Sequence, residues 1–352
     1  MNSKKLFFVF LIILSIPVFA QRADMSLIPY RQGNLWGYAT PDKKIVIRPA
    51  YDEANLFYEG YASVQKGGKY GYINKAGRVV IPFKFFSAKR FRYGYTDNLK
   101  THGTDTVLFA GAALTAKDIE RCIDTRGKQM LKCPAINENS ILSNTKPLIK
   151  DSAVSSFSTM VKSETFDKVL DQYKLPGMED DYYVAVKNNL YGIINNKFET
   201  ILPFEYASIT KLNIDNVVYL LAEKNGLKGV YNGNGSIFIS VENSRLDNVK
   251  AANGKTYFIV AKSSGTGNIG ITDMSLKEMI PLKYSDIQYD NEGGFVLTAN
   301  DNLKGCYLLN NKLLEAKYSD VKLINGGKYV IVKTPGGKSG YVNSDGIEFF
   351  SE

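Results

Sequence analysis

Short runs of alternating apolar and polar residues, separated by turn-forming residues, recur along most of the chain. In Tyr70-Gly71-Tyr72-Ile73-Asn74, then Lys75-Ala76-Gly77, then Val79-Val80-Ile81-Pro82, the pattern reads as strand, tight turn, strand and stop. The closing proline returns at Pro49, Pro203 and Pro281, where a missing amide donor is expected to halt a ladder. An aromatic or apolar phrase follows, as in Tyr51 to Ala54 or Tyr284 to Ile287. Another apolar run, such as Tyr61 to Gln65 or Phe295 to Ala299, then leads to the next glycine. The predicted unit is therefore one of three short strands.

The units are in register with a glycine followed by a large apolar residue. This glycine stands at Gly37, Gly71, Gly192, Gly229, Gly270, Gly305 and Gly340, with spacings of 34, then 37, 41, 35 and 35 residues within the runs. A regular period of this length marks a repeat architecture, because one such unit cannot bury its own faces. Two adjacent residues after the glycine, such as Tyr72 with Ile73 or Ile193 with Ile194, are both apolar although they point to opposite faces of a strand. Both faces of each sheet must then be covered, which stacking of successive sheets achieves. The expectation is an all-β tandem array of about seven to eight three-stranded units, propeller-like, with an open β-solenoid or superhelix as the alternative.

One repeat departs from the pattern. Between Gly71 and Gly192, Cys122-Ile123-Asp124 and Thr125-Arg126-Gly127 match the hairpin, with Arg121 in the place of the glycine. The interval holds one further unit and two insertions, near 87–120 and 135–164, the second rich in Ser, Asn, Thr and Lys and expected as a surface loop.

At Leu35-Trp36-Gly37-Tyr38, with Ile45 to Tyr51 and the phrase Lys69 to Gly77, the chain resembles the bacterial WG-repeat family, named for a tryptophan-glycine pair. The resemblance covers nearly all of the chain beyond its first twenty residues, apart from the insertions. Only Trp36 keeps the tryptophan; Tyr70, Tyr191, Lys228, Ile269, Lys304 and Ser339 replace it elsewhere. The resemblance implies an all-β scaffold serving in binding, and it brings no catalytic set to these positions.

The start of the chain has a different logic. Lys4 and Lys5 precede an apolar stretch from Leu6 to Ile16 and the small-residue pattern Val18-Phe19-Ala20, the three parts of a secretory signal cut after Ala20. The domain expectation is a signal peptide over 1–20 and the repeat array over 21–352, secreted or periplasmic. No later stretch is apolar for long enough to cross a membrane as a helix. Removing Lys4 and Lys5 leaves 42 basic against 35 acidic residues, a spread-out excess without a basic block, so nucleic acid is not expected as a partner.

Candidate chemistry is sparse. Cys122 and Cys306 share the slot after the anchor with Tyr38, Tyr72, Ile193, Val230, Ile271 and Tyr341, which reads as a core slot and makes both buried thiols. The turn at Arg126-Gly127 pairs residue 122 with about residue 131. Cys133 is then a diagonal neighbour of Cys122, and whether the two bridge stays open on the sequence. His102, the single histidine, supplies neither a zinc site nor a recognisable triad. Glu179-Asp180-Asp181 lacks the pattern of a calcium loop, and Gly265 and Gly267 resemble a phosphate loop only in composition. No catalytic, cofactor or metal residue is assigned, and no cofactor is expected.

With 23 Tyr and 19 Phe, some rings remain for contact with protein, peptide or glycan after the core is filled. The leading expectation is an exported non-catalytic binding or scaffold protein. An envelope-assembly component is the alternative, and a glycan-active or hydrolytic enzyme with carboxylates from different repeats the second.

Overall fold

The computed structural model describes residues 26–98, 103–136, 166–264 and 267–351. The signal segment with Ala20, His102, Gly265 and most of the second insertion lie outside the described residues. The chain divides into two compact bodies, residues 1–137 and 138–352. Throughout the described residues the regular structure is β, and neighbouring strands run antiparallel. Each body is a tandem array of small sheets.

A complete unit has four strands. In the first body Glu53–Ala54, Tyr61–Lys66, Lys69–Asn74 and Val79–Phe85 pair in that order. In the second body Lys168–Lys174, Asp181–Lys187, Leu190–Asn195 and Thr200–Tyr206 do the same. The strand beyond the expected three is the phrase after the outer strand's aromatic, too short in Glu53–Ala54 for its alternation to show in sequence. Among the described residues the anchor strands of the repeat number eight: around Gly37, Gly71 and Arg121 in the first body, and around Gly192, Gly229, Gly270, Gly305 and Gly340 in the second.

The outer strand explains the anchor glycine. Tyr72 pairs with Ile81 and Tyr70 with Phe85, so Pro82, Phe83 and Lys84 together oppose Gly71 alone. The outer strand bulges over the glycine, and a Cβ there would lie 2.6 Å from the Ile81 carbonyl oxygen. The same crossing recurs at Gly229, against the Ile239 carbonyl at 2.7 Å, and at Gly270, against the Ile280 carbonyl at 2.6 Å. At Gly340 the obstacle is the Phe350 ring.

This geometry corrects the role read for the prolines. Pro49, Pro82, Pro203 and Pro281 do not end their strands; they sit inside the bulge, and each strand runs on to its aromatic, Tyr51, Phe85, Tyr206 or Tyr284. A bulged outer strand leaves that position without a ladder bond to make, so proline costs nothing there. In the unit of Gly229, which lacks the proline, the strand continues past the aromatic slot. Ile237–Lys250 has Val241 in the bulge and Asn243 in the aromatic slot, and Asn243 donates to the carbonyls of Lys228 at 3.0 Å and Ser240 at 2.8 Å. That strand serves two units and fuses them into one seven-stranded sheet.

Both faces of the anchor strand are buried as expected, Tyr72 and Ile73 fully so, and likewise Ile193 and Ile194. Tyr72, Ile81 and Phe85 of one sheet pack with Ala110, Ala112 and Ile123 of the next. Tyrosines in the slot after the anchor also tie sheets together by polar tips: Tyr38 donates to the Asn55 carbonyl and Tyr72 to the Lys89 carbonyl, each at 2.7 Å.

Candidate binding surfaces

In the repeat that has Arg121 for its anchor, the outer strand is lost. Gln129 bridges Ile123, the Met130 amide donates to the Cys122 carbonyl at 2.8 Å, and the chain then bends away. With no strand crossing above it, residue 121 can carry a side chain, and the Arg121 guanidinium reaches Gln129 Oε1 at 3.1 Å. The bend also revises the cysteine reading. Continued pairing would carry Cys133 past Cys122, but the departure at Leu131 folds it back to a Cα–Cα distance of 5.3 Å, and the two form a disulfide. Cys122 is buried as expected, yet it is no free thiol; Cys306 is buried and free. Burial, with a smaller contribution from Asp290, pushes the Cys306 thiol up to about 12, so it holds its proton.

The first insertion is strand for much of its length. Arg92–Asn98 pairs with the first part of Gly103–Ala113, whose far end pairs with Ser87–Ala88 and with Arg121–Ile123. Beyond the disulfide, Ala135 pairs with Tyr95 through two reciprocal backbone bonds of 2.9 Å. Gly94 makes room for this: a Cβ there would lie 2.6 Å from the Phe109 ring and 2.8 Å from Pro134. Strand Arg92–Asn98 is thus held on both sides. Tyr93 and Tyr95, two apart and so on one face, remain 44% and 43% exposed. The Glu59 carboxylate beside Tyr93 raises its pKa, and the Arg90 guanidinium lies 4.7 Å over the Tyr58 ring. Rings with polar tips and the Glu59 carboxylate therefore meet at this face.

The second body contains a cavity of about 290 Å³ between the end of Thr200–Tyr206 and the hairpin of Val217–Lys224 and Leu227–Asn232. On its floor the Tyr206 and Tyr231 hydroxyls are 2.7 Å apart. At its rim Lys224 Nζ meets Glu205 Oε2 at 2.8 Å, with both side chains part-exposed. Burial first, then the Tyr231 hydroxyl and the Glu205 carboxylate, raise the Tyr206 pKa, so its hydroxyl stays protonated. Asn225, Leu227 and Val241 complete the lining. Glu205 is the one carboxylate in this lining; the paired acids of a hydrolytic enzyme are not brought together here. In the first body a groove lined by Gln32, Leu35, Ile45, Val46, Arg48 and Pro49 holds no carboxylate either.

The remaining sequence candidates fall into structural roles. Asp180 pairs with Lys197 at 3.0 Å on the surface, and Gly267 sits in an open turn at a φ of 79°. Among the described residues no group of three or more His, Cys, Asp or Glu is placed to hold a metal, and no helix is long and apolar enough to cross a membrane. Sequence reasoning passed over Tyr93 and Tyr95, although Tyr93-Gly94-Tyr95 repeats the wording of Tyr70-Gly71-Tyr72 within the insertion.

The sequence matches the WG containing repeat over residues 36–70, 70–97 and 191–227. No curated protein matches the chain. Among solved structures it is similar to dihydro-heme d1 dehydrogenase NirN in complex with DHE, at 11% identity and a TM-score of 0.30, over 93% of this chain and 73% of that one. It is similar to a catalytically inactive virginiamycin B lyase from Staphylococcus aureus with quinupristin, at 14% identity and a TM-score of 0.22, over 91% and 96% of the two chains. A third similar structure is the Dos1 propeller, at 10% identity and a TM-score of 0.24, over 91% and 76%. Each matched segment opens on the aromatic residue before a glycine that lies beneath a bulged outer strand, at Trp36, Tyr70 and Tyr191, and over these segments the chain is built of WG-containing repeats.

Proposed function

We propose that this protein is an exported, non-catalytic binding or scaffold module, and that the inserted hairpin of its first body is the contact surface. The observation that carries the reading is the pair Tyr93 and Tyr95, exposed side by side on a strand braced by Gly103–Ala113 and by Ala135. Aromatic rings held rigidly lose little entropy on binding, and a ring with a polar tip suits a protein, peptide or glycan partner. Export is supported by the three-part N-terminal signal pattern and by the Cys122–Cys133 bridge, since disulfides persist in oxidising compartments.

The test places a photo-crosslinking amino acid at position 93 or 95, and for comparison at exposed Lys322, in the full chain expressed in its native host. Adducts to a single partner at 93 and 95, absent at 322, are expected. The same adducts at all three positions, or none at 93 and 95, would remove the hairpin as the contact surface.

A further inference from the structure

The cavity of the second body offers a chemistry different from that of the hairpin. We propose that it binds one neutral, hydroxyl-rich ring, the size of a monosaccharide unit. Its volume of about 290 Å³ lies just below the usual range for ligand pockets and suits a single small ring.

The charges argue for a neutral occupant. Glu205 and Lys224 are already paired at 2.8 Å, so the rim has no net charge with which to hold an ion. An entering anion would meet the carboxylate and an entering cation the ammonium, each at the cost of separating the pair. A hydroxyl-rich ligand avoids that conflict, because each hydroxyl both donates and accepts. It accepts from Lys224, donates to Glu205, and does either with the Asn225 amide. Tyr206 and Tyr231 supply hydroxyls and ring edges on the floor, and Leu227 and Val241 give an apolar wall for the C–H face of a saturated ring.

The next junction of the array lacks the tyrosine pair. One repeat further on, the equivalent ion pair is kept as Glu242 and Lys262, but Asn243 stands in the place of Tyr206 and Thr272 in that of Tyr231. The positions match because Asn243 pairs with Lys228 as Tyr206 pairs with Tyr191. The hairpin tip is also preset: Asn225 and Gly226 have φ of 53° and 75°, a turn that holds the Asn225 side chain beside the cavity.

The test is amide chemical-shift titration of the full mature chain with methyl β-glucopyranoside, methyl β-galactopyranoside and N-acetylglucosamine, with zwitterionic glycine and anionic inorganic phosphate as controls. At least one sugar should shift the Asn225, Leu227 and Tyr231 amides and saturate in the millimolar range. Glu205→Gln and Asn225→Gly should each weaken that binding at least about tenfold. Asn225→Gly keeps the left-handed turn, so its melting temperature should stay at the parent value and separate lost binding from lost folding. No saturable shift with any of the sugars up to about 50 mM would overturn the proposal. So would binding indifferent to both substitutions, or equal shifts from glycine or phosphate.

Discussion

A Cβ at Gly71 would lie within 2.6 Å of the carbonyl oxygen of Ile81, and no left-handed φ is involved. The demand for glycine at the anchors is steric: the outer strand crosses too close for a methyl group. Gly71→Ala is accordingly expected to lower stability by about 1–3 kcal/mol, the range for overpacking a tight site. Arg121→Ala, at the anchor position where no strand crosses, should stay within about 0.5 kcal/mol of the parent. Urea denaturation of the two variants checks both values, and equal losses would refute the steric account. The glycine spacing was legible in the sequence, but its cause was not, because the obstructing carbonyl belongs to a residue ten positions further on in another strand.

The outer strands Ile45–Tyr51, Val79–Phe85, Thr200–Tyr206 and Glu278–Tyr284 are edges of their sheets, and the proline in each bulge removes a donor from that edge. This guards against pairing with a further chain. The sequence showed the prolines and prompted a reading of strand ends; only the register shows the strand continuing beyond them to Tyr51, Phe85, Tyr206 and Tyr284. The unit around Arg121 lacks an outer strand, and the Cys122–Cys133 bridge fastens the departing segment in its stead. Replacing both cysteines by serine should cost about 2–3 kcal/mol, as expected for a loop of this length. The local signature is faster hydrogen exchange at the Tyr95 and Ala135 amides, which bond to each other just beyond the bridge. Exchange unchanged at those two amides would show that the disulfide does not brace the tyrosine-bearing strand.

At the scale of the whole molecule, the faces of each sheet are covered by its neighbours. In the second body Ile193 and Leu202 of one unit share a core with Ile209, Val218 and Leu220 of the next, while Leu323, Val330 and Val342 lie in a core further along. Stability in such an array is a sum of unit and nearest-neighbour contributions. Ile193→Ala, which empties a fully buried site, should cost about 2–5 kcal/mol. Amide protection should fall most in the units of Gly192 and Gly229 and least in that of Gly340. A uniform fall across the five units, measured by hydrogen exchange with mass spectrometry, would mean that the second body opens as a single block.

The period, the strand character and the covering of both sheet faces were determined by the sequence alone. They follow from local alternation and from turn residues at fixed offsets. Neither candidate site could be read that way. The Tyr206–Tyr231 contact joins residues 25 apart, Tyr95 meets Ala135 across an intervening hairpin, and the disulfide depends on a bend that no residue at the turn announces. Those contacts were decided by the tertiary structure, because stacking and bulge geometry, rather than local preference, set which side chains from successive units come within hydrogen-bonding reach.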